Sequence, residues 1–252
     1  MSSLHTSQHP KILAVIPARY ASTRFPGKPL VDIQGKPMIQ HVWERVSRLA
    51  AIERTIIATD DPRIRDAAES FGAEVRMTSP EHPSGTDRMW EVAATLPEYD
   101  WVLNVQGDEP FINPQHLEAT LEAIQRYTDA AIITLVTPMK DVESWQDPNL
   151  VKVVLAANGR ALYFSRSPVP FHRDTPHEVP PRTYRHIGLY LYRREALEHF
   201  TKLPPSPLEQ TEKLEQLRAL EVGMPIYAVL VSEAPVGIDT PADLVRILDS
   251  VS

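Results

Sequence analysis

ILAVIPARYASTRFPGKPL, residues 12–30, sets a short apolar run against Pro17 and follows it with three cations, Arg19, Arg24 and Lys28. An apolar run of this length bounded by turn-forming residues reads as a buried strand. In open α/β sheets ligands bind beyond the carboxyl ends of the strands, so the strand is expected to stop at Pro17 and hand over to a ligand-facing loop.

Working outward, the chain alternates strand and helix signals. A helix is predicted from about Pro37 to Ala50. RTIIATD (54–60) reads as a strand, DPRIRDAAESFG as a helix opened by Pro62 and closed by Gly72, and AEVRMTS as a further strand. TDRMWEVAATL, DWVLNVQ, NPQHLEATLEAIQRY and AAIITLVTP continue the alternation to residue 138. The fold class expected is therefore α/β, doubly wound, with a mostly parallel sheet. The pattern then changes: VKVVLAANGRALYFSR forms two strands about an Asn158-Gly159 turn, and IGLYLYR adds another. We expect an antiparallel insertion at about 139–200. PLEQTEKLEQLRALEVG, with leucines at 208, 214, 217 and 220, reads as one amphipathic helix ending at Gly223. PIYAVLVS and TPADLVRIL return to strand and helix, and residues 1–10 are expected to be a disordered tail.

Composition narrows the chemistry. The 252 residues, 42% of them apolar, suffice for a core. No apolar run approaches the roughly 20 residues that cross a bilayer, and the N-terminus lacks a signal-peptide layout, so a cytoplasmic protein is expected. There is no cysteine, which removes disulfides, thiolate nucleophiles and thiolate metal sites. A net charge of −7 disfavours nucleic acid and anionic membranes. The 24 prolines punctuate loops such as PFHRDTPHEVPPR without marking a linker. The clustered cations then serve a small molecule.

The opening loop is neither a dinucleotide fingerprint nor a Walker loop, because Gly27-Lys28 lacks the upstream glycine and the following hydroxyl. It nevertheless has phosphate-handling parts. Ala18, Ala21, Ser22 and Thr23 allow backbone N–H groups close to an anion, and Arg19, Arg24 and Lys28 can neutralise a triphosphate. The alternative is a solvated turn with surface cations. Asp108, after the strand DWVLNVQ, is either a ligand of Mg²⁺ or an Asx-turn residue beside Pro110. Asp239 could cap the last helix, but Thr240, Pro241 and Asp243 already supply a capping arrangement and leave it free.

PARYASTRFPGKPL, NVQGDEPFI, ALYFSRSPVPF, RHIGLYLYR, SPLEQTEKLEQLRAL and GIDTPADL together closely resemble the 3-deoxy-manno-octulosonate (Kdo) cytidylyltransferases, also called CMP-Kdo synthetases. The match runs in order from about Lys11 to Leu248, which implies a single nucleotide-diphospho-sugar-transferase-like domain over 11–252. The reaction implied is attack by the anomeric hydroxyl of Kdo on the α-phosphorus of CTP, giving CMP-Kdo and pyrophosphate for lipopolysaccharide. No protein nucleophile is needed, and no general base can be assigned.

By resemblance, Asp108 and Asp239 hold Mg²⁺, while Lys28 and Arg19 supply catalytic electrostatics. Ala18, Arg19, Arg24, Lys28, Ser84, Gly85 and Thr86 bind CTP. Arg88 and Arg166 match the positions that grip the sugar carboxylate. Gln106, His186, Tyr190, Glu215 and Gln216 resemble the groups that bind the sugar hydroxyls. A homodimer through the antiparallel insertion is implied as well. The rivals are a cytidylyltransferase for 8-amino-Kdo or a sialic acid, and an inactive sugar-nucleotide-binding protein.

Overall fold

Ile12–Ala18 (β1) is almost completely buried along its length, which a strand achieves only where both faces of its sheet are covered. The computed structural model describes residues 10–21, 25–235, 237–238, 240 and 242–245. After β1 come a 3₁₀ turn at Lys28–Leu30, a miniature hairpin of Asp32–Ile33 (β2) and Lys36–Pro37 (β3), and the helix Met38–Val46 (α1). Arg54–Thr59 (β4), Pro62–Ser70 (α2), Glu74–Met77 (β5), Gly85–Ala94 (α3), Trp101–Asn104 (β6), Pro114–Arg126 (α4) and Ile132–Pro138 (β7) complete the alternating part. Then follow Val142–Gln146 (α5), Lys152–Leu155 (β8), Ala161–Ser165 (β9), Tyr184–Arg193 (β10), Arg194–Lys202 (α6), Pro207–Glu212 (α7), Gln216–Glu221 (α8) and Ile226–Leu230 (β11).

The main sheet runs β11-β7-β10-β6-β1-β4-β5, all parallel except β10. Side chains from α1, α2 and α4 fill the core on one face. Those from α3, α6 and α8 fill the other. This is the doubly wound arrangement the sequence implies. The antiparallel segment is more deeply integrated than an insertion: β10 lies between β6 and β7 and hydrogen-bonds to both, while β8 and β9 extend the sheet beyond its ligand-binding edge through Tyr184 and Arg185.

Local chemistry sets the helix starts. Asp61, Ser84 and Asn113 each cap a helix by accepting from a backbone N–H in its first turn, with Pro62 and Pro114 at the first helical position where no donor is needed.

Two expectations are corrected. The strand does not stop at Pro17 but continues to Ala18 beside Thr59. Pairing with β6 has ended at Val15, so the missing N–H of Pro17 falls where β1 has a neighbour on one side only. The amphipathic helix of 207–223 is two helices, broken at Lys213, which adopts φ 54° and ψ 46°. Arg166 Nε donates to Glu212 O at 2.7 Å, and Ser165 Oγ and Arg166 N donate to the Glu212 carboxylate at 2.7 and 2.9 Å. These bonds use up the end of α7 and turn the chain.

The β8–β9 turn requires glycine at 159. Its φ is +88°, and a Cβ there would sit 2.7 Å from Tyr127 Oη, whose ring stacks on Tyr227 at 4.4 Å. Gly159→Ala is predicted to cost about 2 kcal/mol, lowering the melting temperature by about 4–8 °C in a chain of this size. A thermal melt followed by circular dichroism checks it, and an unchanged midpoint contradicts it.

Candidate active site

Three loops meet at the carboxyl ends of β1, β4/β5 and β6. Pro17 is the pivot. A Cβ on Gly107 would lie 3.1 Å from Pro17 O and 3.3 Å from Ile39 Cδ1, so any larger residue would push the loop after β6 away from the end of β1 by a few tenths of an ångström. That approach brings Lys28 Nζ to donate to Asp108 Oδ2 at 2.8 Å. The Lys28 side chain is 11% exposed and that of Asp108 40%, so the pair opens to a ligand on the acid's side. Arg19 Nη2 donates to His82 O at 2.9 Å, tying the opening loop to the segment that precedes α3. Ala18 is buried at the end of β1.

Ile238 N donates to Asp108 O at 3.2 Å, which draws the last loop against the same point. Asp239 itself and Arg24 lie outside the described residues. The capping arrangement expected beyond Asp239 is present: Thr240 N and Oγ1 donate to Asp243 Oδ2 at 2.9 Å each, and Asp243 N donates to Thr240 Oγ1 at 3.2 Å. Among the described residues there is no cluster of three or more metal-ligating side chains. Asp108 supplies a hard carboxylate oxygen at a partly open position, which fits a divalent cation held by one or two carboxylates together with phosphates.

A second group occupies the face of the sheet that carries α3 and α8. A β-bulge between Ile187 and Tyr190 interrupts the pairing of β10 with β7. Thr134 Oγ1 lies 3.1 and 2.8 Å from the Ile187 and Leu189 carbonyls, which lets its hydroxyl satisfy the disturbed ladder, and 3.0 Å from His186 Nε2. The bulge leaves His186 and Tyr190 side by side, ring centroids 5.4 Å apart, with Phe164 edge-on to His186. Burial, reinforced by Arg185, pushes His186 down to about 3, so the imidazole is neutral at physiological pH. Burial, with Glu215 second, raises Tyr190 and keeps its phenol protonated. Tyr190 pairs across the sheet with buried Asn104, and Gln106 follows two residues on.

Glu215 reaches this face because of the break at Lys213, and its Oε2 accepts from Thr86 Oγ1 at 2.8 Å. Burial raises its pKa against the opposing bonds from Thr86 and Ser84. Gln216 is buried beside it as the first residue of α8.

Several expected ligands make bonds within the protein. Arg88 is fully buried: it donates to Thr78 Oγ1 and lies 3.3 Å from Asp60 Oδ2. Its Nε and Nη2 have no hydrogen-bond partner, and burial lowers its pKa against the attraction of Asp60. Arg166 spends its guanidinium on the carbonyls of Glu212, Pro148 and Lys213. The Ser84 hydroxyl caps α3, accepting from Asp87 N and donating to Asp87 Oδ2, and that of Thr86 donates to Glu215. Thr134, Glu212 and Arg185 shape the site without any motif in the sequence that distinguishes them.

Comparison with known proteins identifies the family. A cytidylyltransferase family model matches residues 13–226. A 3-deoxy-manno-octulosonate cytidylyltransferase of Syntrophotalea carbinolica is 50% identical over 94% of this chain and 96% of its own. One from Thioalkalivibrio sulfidiphilus is 51% identical over 92% and 95%. A solved CMP:2-keto-3-deoxy-manno-octonic acid synthetase complexed with CTP superposes with a TM-score of 0.90 at 43% identity, covering 96% of this chain and 98% of that one. A 4-diphosphocytidyl-2C-methyl-D-erythritol synthase from Anaerococcus prevotii, at 15% identity and a TM-score of 0.65, shares the fold.

His186 gives a pH prediction. It stays neutral in the folded protein to about pH 3 but titrates near 6.5 when unfolded. Its neutral burial therefore costs nothing above that value, and stability falls as pH drops from 6.5 toward 3. His186→Gln is expected to lose less of its urea midpoint between pH 7.5 and pH 5 than the wild type. Equal losses contradict the assignment.

Proposed function

The chain belongs to the 3-deoxy-manno-octulosonate cytidylyltransferase family, and from that premise we propose how its own residues share the work of joining CTP to Kdo. The enzyme is a nucleotidyltransferase: the anomeric hydroxyl of Kdo attacks the α-phosphorus of CTP, CMP-Kdo forms and pyrophosphate leaves. The observation that carries the assignment of roles is the contact between Lys28 Nζ and Asp108 Oδ2 at 2.8 Å. It puts the principal cation of the opening loop and the carboxylate of the β6 loop at one point.

In the free enzyme each neutralises the other. When nucleotide binds, Lys28 turns its charge to the α and β phosphates, where negative charge develops in the transition state. Arg19 and Arg24 carry the remaining phosphate charge. Asp108, with Asp239, would hold Mg²⁺, which supplies charge neutralisation and orientation of the phosphates when bound. The backbone at Ser84, Gly85 and Thr86 faces the cytosine. Gln106, His186, Tyr190, Glu215 and Gln216 order the sugar hydroxyls, and the neutral imidazole and protonated phenol hydrogen-bond without placing a charge against the sugar.

We also place the enzyme in the cytoplasm, where its CTP is made, on the route to lipopolysaccharide. A homodimer through the antiparallel segment is supported by two apolar side chains exposed there, Leu162 at 58% and Phe171 at 76%.

The test is pyrophosphate release from CTP and Mg²⁺ with Kdo or its 8-amino analogue. Release with Kdo, reduced about 100- to 1,000-fold by Asp108→Ala, is the expected result. Preference for the amino sugar would move the substrate assignment, and no release with either sugar would refute the activity.

A further inference from the structure

Arg19 is held by a carbonyl that no regular structure supports. Thr78 N donates to Thr59 O at 2.9 Å beside the end of β5, and α3 begins only at Gly85. Between them, residues 79–83 make no backbone–backbone hydrogen bond among the described residues. Yet it is His82 O, within this segment, that accepts from Arg19 Nη2 at 2.9 Å. A carbonyl can orient a guanidinium only if it is itself held in place, so the segment needs anchors from side chains.

Those anchors come from one side of α3. Arg88 and Glu91 are three residues apart and so neighbours on the helix surface. Arg88 donates to Thr78 Oγ1. Glu91 Oε2 accepts from Ser79 N at 3.0 Å and from His82 Nε2. One carboxylate oxygen thus takes a backbone donor at the start of the segment and a side-chain donor from His82, while Glu81 N donates to Ser79 Oγ at 3.1 Å in the turn between them. Burial disfavours the charged form of Glu91, but the bonds from Ser79 and His82 outweigh it and hold the carboxyl below its usual range. Glu91 is therefore an ionised acceptor at neutral pH.

The same charge acts on two cations. Burial lowers the pKa of Arg88, nearby Arg19 lowers it too, and Asp60 and Glu91 raise it. Arg19 thus has a like charge close by and a negative charge beyond His82. A guanidinium carries five N–H donors in a rigid fork. One spent on His82 O restricts its rotation and leaves the others for phosphate oxygens, and ordering a side chain before the ligand arrives reduces the entropy lost on binding.

We propose that Glu91 is a positioning residue for Arg19: by gripping Ser79 and His82 it fixes the His82 carbonyl, which aims the guanidinium at the triphosphate. The proposal rests on the reading of Arg19 as a phosphate ligand.

The test is a double-mutant cycle on CTP affinity, measured by calorimetry with Mg²⁺ for wild type, Arg19→Ala, Glu91→Ala and the double variant. Arg19→Ala is expected to weaken CTP about 10- to 100-fold, the range for a hydrogen bond to a charged group. Glu91→Ala should weaken it about 3- to 10-fold, the worth of one pre-ordered side chain, but less than about twofold once Arg19 is gone. Glu91→Gln, which keeps an acceptor oxygen, should recover part of the loss. A second cycle with His82→Ala, which frees the same carbonyl and leaves α3 unaltered, should repeat the pattern. An equal loss in both backgrounds overturns the proposal, because a merely structural role does not need Arg19. Unchanged affinity in Glu91→Ala overturns it as well. Full CTP affinity in Arg19→Ala refutes the reading of Arg19 as a phosphate ligand and the proposal with it, a result distinct from additive losses.

Discussion

The ligand edge centres on the contact between Lys28 and Asp108, residues 80 apart in the chain and 2.8 Å apart in space. As an ion pair between partly exposed groups it is worth at most about 1 kcal/mol, so it does not hold the loops together. Packing does that. Pro17, one residue before the end of β1, lies between Gly85 and Gly107, and either glycine bearing a Cβ would press on it. The two loops are thus fixed by close packing on Pro17.

The proposed sugar side is built by irregularity. A regular β10 would not place His186 and Tyr190 together, and a continuous helix from Pro207 would not deliver Glu215 to Thr86. The bulge opposite Thr134 and the left-handed Lys213 provide both, and each is held by side-chain bonds to backbone: Thr134 on β10, Arg166 on the end of α7. Lys152, fully buried, adds bonds to the carbonyls of Asp147 and Arg166 and stiffens the strand from which Arg166 reaches. Local strain is accepted here and supported by the surrounding strands.

Local signals were readable in the chain: the apolar run of β1, the Asp-Pro and Asn-Pro helix starts, the Asn158-Gly159 turn, and the alternation that makes a doubly wound sheet. What escaped depends on distant partners. The leucines at 214, 217 and 220 keep helical spacing across Lys213, so nothing in the spacing shows that Arg166 will end the helix. An Arg in a helix and an Arg beside a strand look equally available, yet Arg88 is buried against Asp60 while Arg166 bonds three backbone carbonyls. The position of β10 between β6 and β7 is set by pairing across the whole fold. The family resemblance supplies residue identities, but not which of their atoms are engaged within the protein.

The central claim is that the β1 and β6 loops form one site for nucleotide and divalent cation, with Asp108 as the protein's contribution. The direct measurement is Mn²⁺ binding by electron paramagnetic resonance in the presence of CTP, in wild type and Asp108→Asn. The account predicts that the wild type retains Mn²⁺ more tightly than CTP in solution does, and that Asp108→Asn still binds CTP but loses this added retention. Equal retention by both proteins would contradict it.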